Sequence, residues 1–128
     1  MSVADTRDAA IDALLMSLAS GAKHLAQITT KGKQIPPALE PKFKEVMARY
    51  RFDQHQVPDG PNVQLIKELD LVEYLAKRMT ISGTPDDCLA RVEEAQDAGA
   101  HQFCTMVAFP DKIGFLRRWS DLVLAKLS

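Results

Sequence analysis

Between residues 79 and 107 the spacing of apolar positions changes twice. A short β-branched and apolar run over 79–82 stops at Gly83. Helical spacing follows at Leu89, Val92 and Ala95, and a second apolar run covers 102–107. Thr84 stands where an N-cap belongs, with Pro85 at the first helical position and Asp87 where a capping box wants an acid. The helix reads to about Ala98, and Gly99 stops it. The pattern predicts strand, helix, strand, the grammar of a βαβ unit with parallel strands.

The rest of the chain reads mostly helical. Ile11, Leu14, Leu15, Leu18, Ala22, Leu25 and Ile28 form one stripe, opened by Asp5 as N-cap with Asp8 three residues on. Gly21 inside that stripe costs about 1 kcal/mol against alanine, which calls for a kink or a close packing partner. Just upstream, Ser2, Val3 and Ala4 read as the last residues of a strand, as though the chain starts mid-fold. After a polar loop at 29–34, a helix over about 41–50 sets Phe43, Val46, Met47 and Tyr50 on one face. Its basic residues Lys42, Lys44 and Arg49, with Arg51, read as a solvated face. Residues 52–62 lack periodicity and form a loop. A helix over 63–77 carries Val63, Ile66, Leu69, Val72 and Leu75, and a last one starts at Pro110 with Ile113, Leu116, Trp119, Leu122, Val123 and Leu127. The expectation is a single α/β domain over residues 1–128, with about five helices and two or three parallel strands.

Composition narrows the functions open to such a fold. An apolar share of 46% beside 26% charged residues is that of a globular chain rather than a disordered one. A net charge of −1 provides no basic field for nucleic acid. The apolar runs fall far short of a bilayer span. The first ten residues carry an acid where a signal peptide would be basic and then apolar, so the expected address is cytoplasmic. Cys88 and Cys104 lack metal or redox spacing and read as reduced, buried packing residues. His24, His55 and His101 are scattered without a second ligand type at a useful spacing, so no metal site is expected. One feature carries a mechanism. Gly83-Thr84-Pro85 would set backbone N–H groups and a hydroxyl at a helix N-terminus just past a parallel strand, where anionic ligands bind in α/β folds. Asp86 and Asp87 in the same turn would repel a phosphate, which favours a plain helix cap.

The segment Arg78-Met79-Thr80-Ile81-Ser82-Gly83-Thr84-Pro85-Asp86-Asp87-Cys88, followed by Ala98-Gly99-Ala100-His101-Gln102-Phe103, resembles the C-terminal part of luciferase-like monooxygenases. The branch it is most similar to uses the deazaflavin F420, the methylenetetrahydromethanopterin-reductase type. The opening Val3-Ala4-Asp5-Thr6-Arg7-Asp8-Ala9-Ala10 also resembles that family's exit from a strand into a helix. The resemblance implies a partial (β/α)8 TIM barrel, with residues 79–107 as its seventh and eighth strands. It also implies an oxidoreductase transferring hydride or activating oxygen through F420 or FMN, incomplete as a catalyst alone. Gly83 and Thr84 would contact the cofactor, and Arg78 would face the opposite end. No catalytic residue carries over. Exposed strand edges and apolar helix faces would then need a second copy or a complementary barrel chain. The rival reading is a non-catalytic α/β interaction module that binds another chain through those same surfaces.

Overall fold

The computed structural model describes residues 1–55, 57–107 and 109–127. It divides the chain into two compact units, residues 1–13 with 80–128 and residues 14–79.

The first unit is built on two parallel strands, β1 (Ser2–Val3) and β2 (Ser82–Gly83), with Ser2 opposite Ser82 and Val3 opposite Gly83. Ser2 N donates to Ile81 O and Ala4 N to Gly83 O, each at 3.0 Å. Each strand leads into a helix: β1 into α1 (Arg7–Asp12) and β2 into α6 (Pro85–Asp97). A last helix, α7 (Lys112–Leu122), closes the unit. Val3, Cys88, Val92, Trp119 and Val123 form its core, with Ile81, Phe115, Leu122 and Leu127 packed at the margin.

The described secondary structure of the second unit is all helical, joined by loops. α2 (Leu15–Ala26) packs against α3 (Glu40–Arg49), α4 (Pro61–Glu68) and α5 (Val72–Met79). Phe43, Leu18, Ile66, Leu71, Leu75, Val46 and Val63 are its largest fully buried side chains. The polar ends of α2 are handled locally. Lys33 reaches back so that its ammonium donates to the carbonyls of Gln27 (2.7 Å), His24 and Leu25 (both 3.1 Å), the acceptors that a helix C-terminus leaves unpaired. Asn62 fastens the loop before α4 by accepting from Arg51 N and donating to the carbonyls of Arg51 and Gln54.

Several expectations need correction. The partial (β/α)8 barrel is not formed: the described residues make seven α-helices and two strands of two residues each. The run at 79–82 loses its first residue to α5, which continues through Met79, and 102–107 runs without a ladder partner. A strand exists by its hydrogen-bonded neighbour, and apolar composition alone supplies none. The stripe from Ile11 to Ile28 is broken at Ala13 and Leu14, so it makes two helices instead of one. Its N-cap is Thr6 rather than Asp5, with Thr6 Oγ1 accepting from Ala9 N at 3.2 Å. Gly21 has the close partner its position called for, since a methyl there would lie 2.7 Å from Met79 Sδ. The helix read over 63–77 is also two, α4 and α5, parted at Asp70, whose φ of 50° leaves the helical region. Within the loop read at 52–62, residues 52–54 form a single 3-10 turn, and Gln56 lies outside the described residues.

Candidate functional site

The parallel register brings the carboxyl ends of β1 and β2 side by side, and with them the starts of α1 and α6. Thr6 caps one helix and Thr84 the other. This rim is where ligands sit in many α/β proteins, because strand ends and helix N-termini present backbone dipoles to the same space.

The chemistry at Thr84 is already satisfied from within. Asp87 Oδ2 accepts from Thr84 N at 2.9 Å and from Thr84 Oγ1 at 2.8 Å, while Thr84 Oγ1 accepts from Asp87 N at 3.3 Å. These bonds from the Thr84 backbone and hydroxyl hold the Asp87 carboxyl below the usual aspartate range, and the nearby Arg7 adds to the effect. Gly83 is what lets the carboxylate approach. Its φ is +148°, and a methyl there would lie 2.6 Å from both Asp87 Cβ and Asp87 Oδ2. Two other acids of the rim have cationic partners: Arg118 bonds Asp5 at 2.9 Å, and Lys126 lies 3.5 Å from Asp86. The turn therefore offers a phosphate two carboxylates, those of Asp86 and Asp87, and the Thr84 donors it would need are in use. Neutral hydroxyl groups, which donate to carboxylates, suit it better.

Beneath the rim, Cys88 ties the two strands to α6. Its thiol points to Ser2 O at 3.5 Å and Gly83 O at 3.8 Å. Burial, with the charge of Asp87, pushes this thiol up to about 11, so it is a packing group rather than a nucleophile. Cys104 was expected to be buried and is exposed, because 102–107 is uncovered. Both cysteines are free.

The same unit holds an open groove of about 460 Å³. Val92, Phe103, Phe115, Leu116, Trp119 and Leu124 line it, with Gln96, His101 and Thr105 at its margin. Leu116 and Ile113, read from the sequence as part of the apolar stripe of the last helix, are 52% and 58% exposed. Periodicity identified the apolar face of α7 correctly but could not say whether anything covers it.

The histidines are not brought together. His24 and His101 are exposed, and His55 Nδ1 pairs with the Tyr50 hydroxyl at 2.6 Å. Among the described residues no cluster of His, Cys, Asp or Glu could hold a metal ion, and no helix is long and apolar enough to cross a membrane. Compared with family models, curated proteins and solved structures, the chain matches none.

Proposed function

We propose that the chain is the C-terminal segment of a flavin- or F420-dependent oxidoreductase of the luciferase-like type, incomplete as a catalyst by itself. The observation that carries this reading is the rim. Two βα units lie in parallel with their helix starts adjacent, and the Gly83-Thr84 turn stands on that edge in the segment where the resemblance is densest. When bound, such a cofactor supplies hydride chemistry, and the protein contributes position and electrostatics. On this chain, the cofactor would lie against the Gly83-Thr84 turn, with the Asp87 carboxylate that occupies the Thr84 donors as the group it meets. Both candidate cofactors carry a polyhydroxylated chain, and hydroxyl donors match the Asp87 carboxylate where a phosphate would be repelled.

Titration with F420 and with FMN, followed by cofactor fluorescence, tests the reading. Saturable binding in the micromolar range, altered by Asp87→Ala, is expected. No saturable change up to millimolar cofactor overturns it.

A second reading is favoured by the uncovered apolar groove: a non-catalytic module that pairs with a second copy or a complementary chain. Light scattering after size exclusion reads it directly. A mass above the 14.2 kDa of one chain, without cofactor binding, favours the module.

A further inference from the structure

We draw no further inference here: the strongest candidate, the open apolar groove between α6, residues 101–105 and α7, carries nothing because nothing in the structure shows what covers it.

Discussion

Asp87 and Thr84 cap each other. The Asp87 carboxylate takes both the Thr84 backbone N–H and its hydroxyl, and the hydroxyl oxygen takes the Asp87 N–H in return. This reciprocal pair fixes where α6 begins. Losing an N-cap side chain costs about 1 kcal/mol. Thr84→Ala should therefore lower the unfolding free energy by that amount, read as a lower urea midpoint with an unchanged denaturant slope. Thr84→Ser, which keeps the acceptor, should recover most of the loss.

The same pair sets an acid limb. Aspartate titrates near 3.9 in an unfolded chain, and the capping bonds hold Asp87 lower in the folded one. A lowered folded value means that the unfolded state takes up the proton first. The stabilisation is then complete above about pH 4 and fades as pH falls through the lowered value. Asp87→Asn removes this titration. Urea midpoints measured between pH 7 and pH 2.5 should fall less steeply for the variant than for the parent chain. Parallel curves would show that Asp87 does not titrate differently on folding.

Gly83 is constrained twice, by its backbone angle and by the carboxylate it admits. At φ +148° a side chain is strained whatever the space, and a methyl would also meet Asp87 at 2.6 Å. Gly83→Ala should destabilise by about 1–3 kcal/mol, the range for a non-glycine residue forced into such backbone. Combining it with Asp87→Gly removes both the Cβ and the carboxylate that the methyl would meet and leaves the strain. The double variant should therefore lose less than the two single variants summed. Simple additivity in the cycle would remove the close approach as a cause.

How far the fold could be read from the chain depended on how local each determinant is. The start and stop of α6 depend on Thr84, Pro85, Asp87 and Gly99, all acting within a few residues, and these were legible. The breaks at Ala13–Leu14 and at Asp70 were not, because apolar residues continue through both places and the stripe hides the interruption. Ser2 and Val3 read as the end of a strand, yet nothing local named Ser82 and Gly83 as their partners. Pairing is a long-range property, and the run at 102–107 failed for the same reason. At the candidate site, the Gly83-Thr84 turn was legible as the passage from a strand end to a helix cap. The use of its donors by Asp87 was legible as a capping box, because both partners lie within one turn of α6.

Ile28 sits in backbone that its side chain resists. Its φ is 67°, and Thr29 N donates to Gln27 O across it at 2.8 Å, the two-residue spacing of a γ-turn. A β-branched residue at positive φ is a conformational outlier. Its side chain is 93% exposed, so it gains little packing in return. Replacing it by glycine relieves strain of about 1–3 kcal/mol and gives back about 1 kcal/mol through the freer unfolded chain. Ile28→Gly should stabilise by about 1 kcal/mol, seen as a raised thermal midpoint. A lower midpoint would mean that the isoleucine is held by contacts outweighing the turn.

The two thiols should differ sharply in reactivity. The thiolate is the reacting form, so both access and acidity matter. Cys104 is exposed, whereas Cys88 is fully buried beneath Ser2 and Gly83 with its thiol pushed up to about 11. Iodoacetamide at pH 8 should label Cys104 on mixing and leave Cys88 unmodified until urea unfolds the chain, as intact-mass spectra would show. Because Cys88 lies against both strands, its labelling in increasing urea should follow the loss of the β1–β2 pair. If Cys88 reacts in native buffer as fast as Cys104, then α6 is not seated on the strands as described. The capping arguments at Thr84 would fall with it.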